Sequence, residues 1–200
     1  MRPQPFLHDR LQRLAQALET SSSALRELAE DPTADVAVEQ TLTRAAEAYA
    51  ALGLAAAENE VLALHAELAG ARRGLFPSLA SPPTTYRRAA VRAVAMRVLL
   101  RCADRLRTDV VDHQQQLARA REEVATLLVY ALQHGLLVLA DLPTDPAERA
   151  TETWRRLGDL PETQHTARHL TTRISRHDAV LLLVDVLASW DRTSAPAGSG

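Results

Sequence analysis

Residues 7–30 read LHDRLQRLAQALETSSSALRELAE. Leucines recur here in alternating steps of four and three residues, at Leu7, Leu11, Leu14, Leu18, Leu25 and Leu28. This spacing is typical of an amphipathic helix that packs along its whole length. Ser21 occupies the missing position of the pattern, and we interpret Ser21-Ser22-Ser23 as a helix irregularity rather than a nucleophile. The residue before a proline disfavours helical geometry, so Asp31-Pro32 predicts the end of the helix.

The remaining sequence also predicts helices. Aromatic residues make up only 4% of the chain, and the abundant Ala and Leu are strong helix formers. We predict helices near residues 33–52 and 55–71, and a long one from Pro82 to His134. Two more open with an aspartate and a proline, at Asp145-Pro146 and at Asp159-Leu160-Pro161. The last of these reaches Trp190, with a buried apolar centre at residues 179–188. The fold class is therefore all-α, a bundle of six or seven helices.

Three prolines among nine residues make the stretch 75–83 the best candidate for a linker. We predict an N-terminal helical hairpin or three-helix unit at residues 1–75, packed on a C-terminal helical bundle at residues 82–191. Residues 192–200 are expected to form a disordered tail.

Composition excludes several classes of protein. The single cysteine, Cys102, excludes a disulfide framework, and its predicted apolar position favours a small buried side chain. All 23 basic side chains are arginines, so the chain has neither a Schiff-base lysine nor a P-loop lysine. No apolar run is long enough for a membrane span, and the N-terminus lacks a secretory pattern, so we expect a cytoplasmic protein. Without a recognisable catalytic motif or cofactor motif, the sequence favours a non-enzymatic protein that uses no cofactor.

A column of arginines is predicted on the exposed side of the long helix. Residues 86–107 contain seven arginines and one acid. At 100° per residue Arg97, Arg101 and Arg105 align, and Arg87 points the same way nearer the N-terminus. Like charges at this spacing repel one another, so the column needs compensating carboxylates.

We expect that compensation to come from ion pairs within the chain. The candidate partners are Glu58, Glu60 and Glu67. An acidic surface of a partner protein and a nucleic acid are the two alternatives.

A second basic surface is predicted near the C-terminus. If one helix continues through this region, His165, His169, Arg173 and Arg176 lie within an arc of about 80°. Such a surface suits an acidic partner or a polyanion. Glu162, His165 and His169 come nearest to metal-ligand spacing, but no second Glu-x-x-His unit exists to complete a site, and we predict no bound metal.

Three further side chains have structural predictions. Asp185 interrupts an apolar run, and burial of an unpaired carboxylate is costly, so we expect it to pair with an arginine of the column. Trp154 and Trp190 lie about one turn from helix ends and are expected to cover the core.

Three functions fit these observations. The first, which we favour, is a cytoplasmic helical interaction protein, such as an adaptor, regulatory or accessory subunit, with a protein partner or self-association and no membrane contact. The second is a nucleic-acid-associated accessory protein that uses the arginine-rich helix face. The third is a helical bundle that binds a metal or a small molecule.

Overall fold

A computed structural model of the chain describes residues 6–31, 35–75 and 87–194. Within these ranges it contains seven α-helices, one short 3-10 helix and no strand, which confirms the all-α class. The helices are α1 (Leu7–Glu30), α2 (Asp35–Ala51), α3 (Ala55–Arg72), α4 (Arg87–Gln133), the 3-10 helix (Leu139–Asp141), α5 (Pro146–Asp159), α6 (Pro161–Arg173) and α7 (Arg176–Ser194). No helix in the described ranges combines the length and the apolar character that crossing a membrane requires.

Packing divides the chain into two compact units. Among the described residues, unit 1 comprises 9–31, 35–75 and 87–113, and unit 2 comprises 6–8 and 114–194. The sequence suggested a division at residues 75–82, whereas the boundary between these units lies inside α4, because a long helix can pass from one core to the next without a break. Of the predicted linker, only Leu75 lies within the described residues.

The regularly spaced leucines of α1 line the core of unit 1 from Leu11 onward, whereas Leu7 belongs to the core of unit 2. Leu14 and Leu28 are fully buried, and the leucines between them are partly buried against the same core. The irregularity expected at residues 21–23 is absent, since α1 is helical throughout. The hydroxyls of Ser21 and Ser22 donate to the carbonyl oxygens of Ala17 and Leu18, both at 2.9 Å. This back-bonding lets serine sit within a helix without leaving its hydroxyl unsatisfied.

Helices α2 and α3 pack against each other in unit 1 and are joined by a tight turn. Gly53 in this turn has a φ of 69°, a left-handed conformation that glycine adopts without steric cost. Arg92 of α4 donates to the carbonyl oxygens of Leu28 and Ala29 at 3.2 and 3.3 Å. An arginine thereby satisfies carbonyl groups that the C-terminal end of α1 leaves exposed.

Unit 2 has its own core, formed by the end of α4 and by α5, α6 and α7. Trp154 is buried in this core and Trp190 packs against it, as predicted. The predicted cap of α5 is confirmed, because an oxygen of Asp145 accepts from the backbone N–H groups of Ala147 and Glu148 at 3.0 and 2.9 Å.

The predicted cap of α6 is wrong. Asp159 is the last residue of α5, and Leu160 occupies the N-cap position with no side-chain hydrogen bond. Thr163 of α6 instead bonds to α5, since its buried hydroxyl donates to the carbonyl oxygen of Leu157 at 2.6 Å.

The single helix predicted from residue 161 to 190 is also wrong. Ile174 is extended, with φ −127° and ψ 152°, so α6 ends at Arg173 and α7 begins at Arg176. Ser175 between them accepts a hydrogen bond from the N–H of Asp178 at 2.9 Å, the bond of a helix N-cap. At the other end α7 reaches Ser194, so residues 192–194 are helical, and the rest of the predicted tail lies outside the described residues.

Candidate interaction surfaces

The arginine column of α4 is paired within unit 1. Arg97 forms an ion pair with Glu67, and Arg101 lies 3.7 Å from the other oxygen of the same carboxylate. Arg105 lies 3.0 Å from Glu60. The predicted pairing with Glu60 and Glu67 is therefore observed.

Arg87, predicted to extend the column, and Glu58, a predicted partner of it, form no ion pair with each other or with the three aligned arginines and their carboxylates in the described ranges. Arg87 donates to the carbonyl oxygen of Arg72 at 2.6 Å, at the C-terminal end of α3. Glu58 forms no ion pair with the column among the described residues.

Arg105 also belongs to a partly buried hydrogen-bond network. Its Nε donates to Asp109 at 3.0 Å, and the fully buried Tyr49 donates its hydroxyl to the same carboxylate oxygen at 2.7 Å. Burial of Tyr49, together with its hydrogen bond to Asp109, raises the pKa of the phenol far above its usual range. The hydrogen bond to Asp109 likewise raises the pKa of Arg105.

These contacts leave the column with little charge to offer a polyanion. Its three aligned arginines share three carboxylates, those of Glu60, Glu67 and Asp109. Ion pairs this exposed contribute little to stability. They do cancel the local excess of positive charge that attracts a phosphate backbone.

A basic surface lies on α6 and the start of α7, and its charge is not balanced in this way. The stretch 163–177 contains three arginines, three histidines and no carboxylate. We define the basic surface by these six side chains, all of them exposed: His165, Arg168, His169, Arg173, Arg176 and His177.

The arc predicted for this surface needs one correction. His165, Arg168, His169 and Arg173 share one side of α6. Arg176 lies beyond the break at Ile174, on α7, so it does not belong to the same helical face. The carboxylate that pairs with the surface is that of Glu123 on α4, at 2.5 Å from Arg173. Arg168 and Arg176 form no ion pair within the described part of the chain.

The residues nearest to metal-ligand spacing do not form a metal site. Glu162, His165 and His169 are all exposed on α6. In the ranges that the structure describes, no three His, Cys, Asp or Glu side chains come together in a way that could hold an ion.

The buried carboxylate of α7 is Asp178, not Asp185. Asp185 is exposed, and the column arginines that were its expected partners pair with the carboxylates named above, so the predicted bridge is wrong. Asp178 is 1% exposed. Its carboxylate accepts from the N–H groups of Leu7 and His8 at 3.0 and 3.2 Å, from His8 Nδ1 at 2.7 Å and from the hydroxyl of Ser175 at 2.7 Å.

The carboxylate of Asp178 thus caps the N-terminal end of α1 and accepts from Ser175, the N-cap residue of α7, and these bonds affect its ionisation. Burial alone would raise its pKa, but the hydrogen bonds from His8, Ser175 and the backbone outweigh burial and hold the pKa below its ordinary value. The ring of Phe6 stacks on His177 beside this site, with centroids 4.6 Å apart. The spacing Ser175-x-x-Asp178 is a sequence signal for the start of a helix, and it could have located the break between α6 and α7.

An acidic groove of about 740 Å³ lies elsewhere on unit 2, between the 3-10 helix and α5. Its carboxylates are those of Asp141, Glu148 and Glu152. Hydrogen bonds from Arg155 and then Arg156 lower the pKa of Glu152 to about 2. Asp141 and Glu148 are exposed and form no ion pair with any described residue.

Cys102 is fully buried, as predicted. Burial raises the pKa of its thiol to about 11, so the nucleophilic thiolate is scarce at neutral pH. The side chain therefore has the properties of a core residue and not of a catalytic nucleophile.

Comparisons with protein families, with curated proteins and with solved structures found no match for this chain.

Proposed function

We propose that this chain is a non-enzymatic, cytoplasmic helical interaction protein that binds an acidic protein partner through the basic surface. The observation that carries the proposal is the exposure of six arginine and histidine side chains over residues 163–177, a stretch without a carboxylate. An excess of one charge steers an oppositely charged partner and orients it on docking.

The contrast with the arginine column supports the choice of this surface. Each aligned arginine of the column has a carboxylate within 4 Å, whereas Arg168 and Arg176 form no ion pair in the described ranges. Carboxylates of a partner can therefore pair with these two guanidinium groups without displacing a neighbouring carboxylate. Arginine suits this role, because its planar fork matches a carboxylate with two parallel hydrogen bonds.

A protein partner fits this surface better than a nucleic acid. Single-stranded nucleic acids are bound by cationic grooves with aromatic side chains on which bases stack, and residues 163–177 contain no Phe, Tyr or Trp.

Fluorescence anisotropy tests the proposal with two labelled probes, a 20-residue poly-glutamate peptide and a 20-nucleotide single-stranded DNA. Each is titrated with the wild type and with the Arg168→Glu/Arg173→Glu/Arg176→Glu variant. The matched control is Arg13→Glu/Arg44→Glu/Arg73→Glu, which changes the charge equally at three exposed arginines of unit 1. Circular dichroism checks that all three proteins are folded.

We expect the wild type and the control to bind poly-glutamate at 50 mM salt and the basic-surface variant to lose at least tenfold in affinity. Absence of peptide binding, or an equal loss in the control, would overturn the proposal. Tighter binding to the DNA would favour the nucleic-acid alternative instead. Three phosphate contacts at a slope of about 0.7 each predict a roughly twentyfold loss of DNA affinity between 50 and 200 mM salt.

A further inference from the structure

We infer that the acidic partner of the basic surface is a second copy of this chain, which presents the acidic groove of its own unit 2. The inference rests on the proposed function and names the partner of the same surface. It is carried by two exposed surfaces of opposite charge on one compact unit, each with charged groups that form no ion pair with any residue of the described ranges.

The groove side carries the negative charge. Its lining residues include three carboxylates, those of Asp141, Glu148 and Glu152, and one arginine, Arg156, whose Nε donates to Glu152 at 2.8 Å. Asp145 caps α5 and Glu152 pairs with its neighbours, which leaves Asp141 and Glu148 as exposed carboxylates open to an arginine from outside.

The groove also provides apolar area. Val138 and Leu139, next to it in the chain, are 50% and 41% exposed, and Ala140, Leu142 and Ala147 line it. Exposed ion pairs alone bind weakly, so an interface needs apolar contact as well as complementary charge. Small side chains in the groove allow close approach of a helix such as α6.

The basic surface matches the acidic groove in the number and the chemistry of its groups that are unpaired within the described ranges. Arg168 and Arg176 are the two basic-surface arginines without an ion pair in the described part of the chain, and Asp141 and Glu148 are the two corresponding carboxylates. In a two-fold dimer each copy would offer both surfaces, so every contact between arginine and carboxylate would form twice. Doubling the contacts raises affinity without requiring a strong individual ion pair.

Sedimentation velocity tests this inference on the full chain from 5 to 200 µM at 50 and 500 mM salt. Two charge-reversed variants are compared, Asp141→Arg/Glu148→Arg for the groove and Arg168→Glu/Arg176→Glu for the basic surface. Arg13→Glu/Arg44→Glu is the control. We expect the wild type and the control to associate at 50 mM salt and to dissociate at 500 mM.

Mixing the two variants gives the decisive result. Each variant alone should be monomeric, and an equimolar mixture should recover a one-to-one complex, because each supplies the surface that complements the other's. A wild type that is monomeric at 200 µM and 50 mM salt would overturn the inference, as would variants that still associate alone or a mixture that stays monomeric.

The poly-glutamate titration separates this inference from the function on which it rests. If the wild type binds the peptide but stays monomeric, the second copy is excluded as the partner and the proposed function survives. If it binds no peptide, the proposed function fails as well. The milder pair Asp141→Asn/Glu148→Gln should also weaken association, and it repeats the test without introducing a new positive charge.

Discussion

Replacing Asp178 with alanine removes an acceptor that four donors share in unit 2. The donors are the N–H groups of Leu7 and His8, the His8 ring and the Ser175 hydroxyl. We expect the Asp178→Ala variant to lose a large part of the stability of unit 2.

The size of the loss follows from which donors can turn to water. The His8 side chain is 31% exposed, so its groups can be partly solvated in the variant. The Leu7 N–H is buried and the Ser175 hydroxyl is partly buried. Hydrogen bonds to a charged group contribute about 1.5–3 kcal/mol each, so these two predict a loss of about 3–6 kcal/mol, close to the cost of breaking a buried ion pair.

Urea denaturation followed by tryptophan fluorescence measures this loss in the right unit, because Trp154 and Trp190 both belong to the core of unit 2. Asp185→Ala is the matched control, since it removes an exposed carboxylate from the same helix and should cost less than about 0.5 kcal/mol. A loss below about 1 kcal/mol for Asp178→Ala, or equal losses for both variants, would refute the assigned role of Asp178.

Three further predictions follow from the buried groups. Folding lowers the pKa of Asp178, so the wild type should have a larger free energy of unfolding than Asp178→Asn. This difference should be fully present above about pH 5 and shrink as pH falls below the ordinary aspartate pKa of about 3.9. A constant difference from pH 6 to 3 would contradict the prediction. Tyr49→Phe should destabilise unit 1 by about 1–2 kcal/mol, because it removes the hydrogen bond to Asp109. Urea-dependent labelling of Cys102 measures this change, and an unchanged free energy of unfolding would show that the bond contributes no stability. The Cys102 thiol has a pKa of about 11 in the native protein, and this pKa returns to about 8.5 in 6 M guanidinium chloride. At pH 8 the native thiol should therefore react with a disulfide reagent at least a hundredfold more slowly than the unfolded one. Comparable rates would place the thiol in contact with solvent.

Local patterns in the sequence predicted the helices well. The leucine spacing and Asp31-Pro32 placed α1 at almost its observed bounds, and Asp145-Pro146 placed the start of α5. Both signals act between residues close in the chain, where helical geometry fixes which side chains are neighbours. The break between α6 and α7 was also readable in the Ser175-x-x-Asp178 spacing, but the apolar run that follows it suggested one continuous helix.

Long-range pairing was only partly predictable. The repulsion within the arginine column required carboxylates, and the acids of α3 were the nearest candidates. Which of them would pair depended on the packing of α3 beside α4, which selected Glu60 and Glu67 and left Glu58 outside the column's ion pairs.

Asp178 and Asp185 of α7 show what the sequence and the tertiary structure each decide. By itself the sequence determined that residues 179–188 form a largely apolar helical segment and that a carboxylate within such a helix needs a partner if buried. Only the tertiary structure decided that the buried one is Asp178, because three of its four donors come from residues 7 and 8, which lie 171 and 170 positions away along the chain. Periodicity reports neighbours within a helix, whereas burial depends on which distant segment packs against it.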